Sequence, residues 1–383
     1  LLTIDGVPTR GQRDRTIPVD VRAGFDEALH CNGNGACYNY DPDDAMCPSW
    51  KATRERRHSP KGRASLLREW LRQLAAQGVD PVEESRRLRR TPAWRTLPAR
   101  LRNGIAKRRG EDDFSHAVKE AMDGCLACKS CVGQCPIKVD VPSFRAKFLE
   151  LYYGRYPRPL RDYSVASLER FVPLLARMPR LYNGLMGSNP GRAALKAIGL
   201  AESPALSGLS LGRAMRERGV SVATPAALRN LGAEERARSV VLVQDAFTSY
   251  FETQLVLDLI DLILALGFQP WLAPYRPNGK PLHVHGFLGA FERTASANAA
   301  MLRELADTGV DLIGLDPSMT LTYRAEYAGA LNGVPLPRVQ LVQEWLGKHP
   351  DAMTAAGNCT DDLPTDYLLL PHCTERTTAA STL

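Results

Sequence analysis

The chain has 383 residues, 44% hydrophobic and 24% charged, with no low-complexity tract; this is the composition of a globular protein. That length exceeds one ordinary core and predicts two or three domains. No stretch reaches 18 consecutive apolar residues, which excludes a membrane-spanning helix, and residues 1–22 lack the apolar core of a secretory signal.

The net charge of +7 is unevenly spread. Lys51–Gly110 holds 18 Lys and Arg against 5 Asp and Glu, so this stretch carries +13 and the rest of the chain −6. Its arginines alternate with Leu and Trp at helical spacing, and no recognised nucleic-acid motif accompanies them. A solvated helical face, or a docking surface for an acidic partner, is the reading preferred over nucleic-acid binding.

Residues 1–24 read as a linker, punctuated by Gly6, Pro8, Gly11 and Pro18 with no sustained apolar period. The absence of an initiator Met predicts that the N-terminus is an internal cut. A first cysteine group follows, Cys31-Asn-Gly-Asn-Gly-Ala-Cys37 and then Cys47-Pro48. Gly33 and Gly35 allow the positive φ angles that a loop around a metal cluster needs.

Residues 59–78 predict a helix with Ser59 as N-cap, Pro60 in the first turn and Gly78 as stop. Leu67, Trp70, Leu71 and Leu74 form its apolar stripe, with Arg63, Arg68 and Arg72 elsewhere on the cylinder. Asp80–Gly110 is charged and broken by Pro81, Pro92 and Pro98, predicting short helices or a mobile excursion. Phe114, Val118, Ala121 and Met122 predict a helix leading into Cys125.

Cys125-Leu-Ala-Cys128-Lys-Ser-Cys131-Val-Gly-Gln-Cys135-Pro136 is the densest motif in the chain. The spacing C-x2-C-x2-C-x3-C-P is that of bacterial-type iron–sulfur ligation. A zinc knuckle is the bland alternative, but zinc sites usually pair two C-x2-C units across a longer loop. Nine cysteines, seven of them in two groups, together with no export signal, point to metal ligation in a reducing compartment and not to disulfides. The cytoplasm is the expected location, with peripheral attachment to the inner membrane left open.

Val139–Tyr153 predicts another helix, bearing Phe144, Phe148, Leu149 and Tyr152. An all-helical ferredoxin-like module is therefore expected over residues 25–155. Residues 156–237 read as a helical connector without chemistry. From Arg238 strands alternate with helices: strands at 239–243, 268–272 and 311–315, helices at 251–266 and 287–308. This pattern predicts a parallel sheet covered by helices, giving an α+α/β fold class overall. Gly279-Lys280 lacks the upstream glycine of a phosphate loop, since residue 274 is Pro. A last strand is expected at Tyr367–Pro371, followed by His372-Cys373, with the chain ending before a helix forms. Cys373 stands where α/β sheets place ligands, and is a further candidate metal ligand beside its reading as a buried small residue. Cys359 is assigned nothing.

In two-cluster ferredoxins the last Cys of each run ligates the other cluster. Applied here, Cys125, Cys128, Cys131 and Cys47 complete one [4Fe–4S] cluster. Cys31, Cys37 and Cys135 remain for a second, one thiolate short. A [3Fe–4S] cluster, a non-cysteine ligand such as His30 or Asn34, or a single cluster with spare thiols would each resolve the count.

The stretches Cys31–Cys37, Met46-Cys-Pro-Ser49, Ser59-Pro-Lys-Gly-Arg-Ala64, Arg68-Glu-Trp-Leu-Arg72 and Gly124–Lys129 resemble the C-terminal half of bacterial FAD-linked D-2-hydroxyglutarate dehydrogenases. These are relatives of D-lactate and glycolate dehydrogenases. Gln244–Tyr250, Asn278-Gly-Lys280, Asp316-Pro317, Tyr323–Tyr327 and His372-Cys-Thr-Glu375 extend the resemblance over essentially the whole chain.

It implies that FAD and the residues of 2-hydroxy-acid oxidation belong to an N-terminal flavin part outside this sequence, so this chain carries no FAD-binding or catalytic residue and is inactive alone. It also implies that 238–335 is a cysteine-rich (CCG-like) domain without its cysteines, and that 336–383 begins a truncated second copy. The function expected is iron–sulfur electron transfer from reduced flavin, in the same polypeptide, to a quinone or another carrier; a homo-oligomer is left open. The rivals are a free-standing iron–sulfur subunit of a glycerol-3-phosphate or lactate dehydrogenase complex, and a nucleic-acid-binding protein with a structural cluster.

Overall fold

The computed structural model describes residues 9–356, 366 and 372–379. The chain divides into two units: one gathers residues up to Arg158 with His283–Gly289 and the segment from Arg376, the other runs from Pro159 to Leu282 and from Ala290 to Glu375.

The first unit is helical. Its main helices are α1 (Pro48–Thr53), α2 (Pro60–Ala76), α3 (Pro81–Arg90), α4 (Ala93–Arg108), α5 (Ser115–Asp123) and α6 (Val141–Arg155). Ser59 caps α2 by accepting from the Gly62 N–H at 2.9 Å. The expected stripe of α2 is buried: Leu67, Trp70, Leu71 and Leu74 pack with Val118 and Met122 of α5 and Phe144, Phe148 and Tyr152 of α6. Trp70 meets Phe148 edge-on at 5.1 Å between ring centroids.

Two expectations are corrected here. The described residues before 24 are not a linker: Arg10–Asp14 and Val19–Gly24 are helical, with Ile17 and Val21 in the core. The signal was weak because each helix is under two turns, the first has no apolar residue and the second buries only Val21. Asp80–Gly110 is neither mobile nor fragmented into short pieces. It forms two sustained helices, and α4 runs 16 residues across Pro98, giving up one backbone hydrogen bond.

The second unit is built on a five-stranded sheet with every neighbour pair parallel, in the order β1 (Ser221–Val222), β3 (Gln269–Leu272), β2 (Ser239–Val243), β4 (Asp311–Gly314), β5 (Val339–Leu341). Central β2, with Val at three of its five positions, is buried throughout, as a strand covered on both faces must be. Val240 and Leu242 face α8 (Thr253–Ala265) through Val256, Ile260 and Ile263. Val241 and Val243 face α9 (Leu288–Ala306) through Phe291, Ala295 and Leu302. The sheet reaches beyond the 238–335 limits on both sides. β1 comes from the stretch read as a connector, and β5 from the stretch read as a second copy. That connector also contributes α7 (Leu160–Leu175), whose Glu169 is buried.

Candidate metal centre

Cys47, Cys125, Cys128 and Cys131 line one recess of about 300 Å³, its open mouth included. Two segments far apart in sequence meet there because α2 carries Arg63 between them. This guanidinium, 1% exposed, donates from Nη2 to Ser49 Oγ (2.9 Å), next but one to Cys47. Its Nε donates to the Ala121 carbonyl (2.7 Å), one turn before Cys125, and Nη1 lies 3.7 Å from Cys47 Sγ. Buried Lys129, its Nζ 3.6 Å from Asp140 Oδ2, is a second cation of the lining.

The cysteine loop curls through non-glycine residues in the left-handed region: Ala127 (φ 55°) and Lys129 (φ 59°) flank Cys128. Each such residue costs about 1–2 kcal/mol, so the turn is held by its surroundings. Backbone N–H groups at the starts of proline-initiated helices face three of the sulfurs. Trp50 of α1 faces Cys47, Lys61 of α2 faces Cys37, and Val141 at the start of α6 faces Cys131. Such donors stabilise negative charge on sulfur.

Burial pushes the Cys131 thiol well up, with the neighbouring Cys125 repelling its charge. Burial also pushes Cys47 up, against the lowering pull of Arg63. Gathering thiolates here is unfavourable unless positive metal charge joins them. Four thiols lining one recess beside the cations Arg63 and Lys129 are a donor set that fits an iron–sulfur cluster, for which Cys47, Cys125, Cys128 and Cys131 would be the ligands.

Cys31, Cys37 and Cys135 are buried in the same core. Burial raises the Cys37 thiol, and both Cys31 and Cys47 lie close enough to repel its charge. The two non-cysteine candidates are engaged elsewhere. His30 is exposed, its Nε2 2.9 Å from Asp26 Oδ1, and Asn34 Oδ1 accepts from the Ala36 N–H at 3.0 Å. Cys373 is exposed and opens a short helix, Cys373–Thr378, which corrects the expectation that no helix forms there. Cys359 and the strand expected at Tyr367–Pro371 lie outside the described residues.

In the second unit, Asp245 after β2 and Asp316 after β4 act as helix caps, accepting from Phe247 and Thr248 and from Met319. Lys280 Nζ donates to the Ser318 carbonyl at 2.8 Å, in place of the phosphate contact a nucleotide loop would make. Sequence reasoning missed Arg63 and Lys129. Arg63 stands in the basic stretch read as a solvated face and Lys129 in a run where only the thiols carried the signal, and only the three-dimensional meeting of the two cysteine segments singles them out.

The helical unit with its cysteines defines an iron–sulfur domain, and a family model described as "4Fe-4S dicluster domain" matches residues 27–139. Over 98% of its length the chain is 54% identical to a D-2-hydroxyglutarate dehydrogenase of Pseudomonas putida and 46% identical to one of Escherichia coli. Over 97% it is 41% identical to one of Haemophilus influenzae. The chain spans 36–37% of the length of these relatives. No solved structure matches. Among the described residues no helix is long and apolar enough to cross a membrane.

Proposed function

We propose that this chain is the iron–sulfur electron-transfer part of a FAD-linked dehydrogenase that oxidises D-2-hydroxyglutarate or a close D-2-hydroxy acid. The observation that carries the reading is the meeting of Cys47 with Cys125, Cys128 and Cys131 in one recess, within a chain whose relatives are oxidoreductases by name. Oxidising the hydroxyl carbon releases two electrons, and a [4Fe–4S] cluster supplies one-electron transfer when bound.

The chain's own residues hold and tune that centre. Four thiolates would hold the first cluster, and Cys31, Cys37 and Cys135 would hold a second, as a [3Fe–4S] cluster or with a fourth ligand that is not a cysteine of either run. Arg63, Lys129 and the N–H groups facing Cys47, Cys37 and Cys131 offset the added negative charge of the reduced state. The flavin and the hydroxy acid bind in polypeptide corresponding to the remaining length of the relatives, and the acceptor is a quinone or a soluble carrier.

The test is anaerobic purification with iron and sulfide analysis and EPR before and after dithionite. Iron and sulfide in near-equal amounts with a signal on reduction are expected; no iron, or zinc alone, refutes the reading. Cys128→Ser should remove one cluster's signal and leave most of the helical circular dichroism.

A further inference from the structure

Helix α4 is packed inside out. Its polar and small face holds it to the first unit: Asn103 Nδ2 donates to the Arg155 carbonyl (2.9 Å), Lys107 Nζ to Tyr152 Oη (2.9 Å) and Arg100 Nε to the Gly154 carbonyl (3.4 Å). Gly104 lies so close to Pro157 that an added Cβ would come within 2.9 Å of the ring. None of the 16 residues of α4 is buried. Trp94, Leu97, Leu101 and Ile105 point outward, 68%, 50%, 52% and 52% exposed. At 3.6 residues per turn these four lie within about 80° of one another, on a helix about 24 Å long.

What surrounds the stripe selects its partner. Residues 85–110 contain ten Lys and Arg and no Asp or Glu. Arg95, Arg102, Arg108 and Arg109 are exposed on α4 and just past its end, and the Arg95 guanidinium sits 5.2 Å over the Trp94 ring. A water-facing helix has no use for a Trp-Leu-Leu-Ile row, and a nucleic acid would be met by the arginines without it. A continuous apolar ridge, one side chain per turn and bordered by long cationic side chains, matches the boundary between acyl chains and anionic headgroups.

We propose that α4 is a membrane-surface helix that seats this unit on an anionic lipid bilayer. The ridge enters the headgroup boundary and the flanking arginines bind lipid phosphates. This goes beyond the electron-transfer reading and stands apart from it, because lipid binding is read without any redox signal.

The test is sedimentation of the iron-loaded chain with vesicles of phosphatidylcholine alone and of phosphatidylglycerol mixed with phosphatidylcholine. Pelleting is expected with the mixed vesicles, with a blue shift in Trp emission that Trp94→Phe abolishes. Leu97→Asp combined with Leu101→Asp should lower partitioning about tenfold or more, with thermal unfolding unchanged because both side chains are exposed. Should that variant fold poorly, Arg95→Glu with Arg102→Glu serves, and is expected to remove the phosphatidylglycerol preference and its salt dependence. No pelleting with either vesicle, or equal pelleting of variant and parent, overturns the proposal. So does a lipid-free oligomer that the Asp variant dissociates, since the ridge would then be a contact between copies.

Discussion

Arg63 is the residue on which the two cysteine segments depend most. It is fully buried and contacts Cys47, Ser49 and the Ala121 carbonyl. Replacing it by Gln removes a positive charge beside the sulfurs, so the reduced, more negative cluster loses stabilisation. The EPR-monitored midpoint potential should fall, and Arg63→Lys should restore part of it; an unchanged potential would show that Arg63 only packs. In sequence this residue looked like part of a solvated face, because its neighbours Lys61, Arg68 and Arg72 are also basic.

Glu169 of the second unit titrates above the usual carboxylate range because it is buried. Burial raises its carboxyl to about 7, against the lowering pull of the Gly279 N–H, which donates to Oε2 at 2.7 Å, and of the Asn278 backbone; among the described residues Oε1 has no hydrogen-bond partner. A folded pKa above the unfolded value of 4.5 means that the native state holds a proton the unfolded chain has released. The contribution of Glu169 to stability is therefore greatest below about 4.5, falls by on the order of 3 kcal/mol as pH rises through the window to about 7, and is flat beyond. Glu169→Gln should flatten that slope in pH-dependent chemical denaturation. A slope unchanged by the substitution would assign it to another group.

At the scale of elements, α2 shows why a clean helical stripe told only half of its role. Leu67, Trp70, Leu71 and Leu74 are buried where periodicity places them. The arginines of the other face are not all in water: Arg68 pairs with Asp14, Arg72 Nη1 lies 2.8 Å from the same carboxylate, and Arg68 Nη1 donates to the Cys31 carbonyl at 2.6 Å. Asp14 comes from the stretch that read as a linker, so a charge pair between distant segments turned a polar face inward. Periodicity cannot register this, because it scores arginine as outward wherever it falls. Asp14→Ala leaves Arg68 buried with one charged partner gone and should destabilise the first unit by about 3–5 kcal/mol in urea denaturation. A loss under 1 kcal/mol would show that Arg68 finds water. The same substitution loosens the loop at Cys31, so cluster loss in air should also quicken.

Across the molecule, the legible parts were those with strong local signals. The three central strands and the helices expected at 59–78, 139–153, 251–266 and 287–308 fell within a few residues of their expected limits, whereas α4 and α7 were not delimited. The edge strands β1 and β5 did not, since two or three residues carry no period of their own and become strands only by pairing with β3 and β4. The recess was legible as a ligand count, but the cations beside it were not. The two units also differ in what holds them. The second has its own sheet and two apolar layers. The first closes its core around buried thiols drawn from 31–47 and 125–135, which repel one another as thiolates unless metal charge binds them. Removing iron should therefore act on one unit alone. Calorimetry of the loaded chain should resolve two transitions, and anaerobic chelation should lower or abolish only one, while amides of β2 and β4 keep their protection from hydrogen exchange. A single transition that shifts as a whole on chelation would mean that the units fold as one, and that the thiol core stabilises the sheet as well.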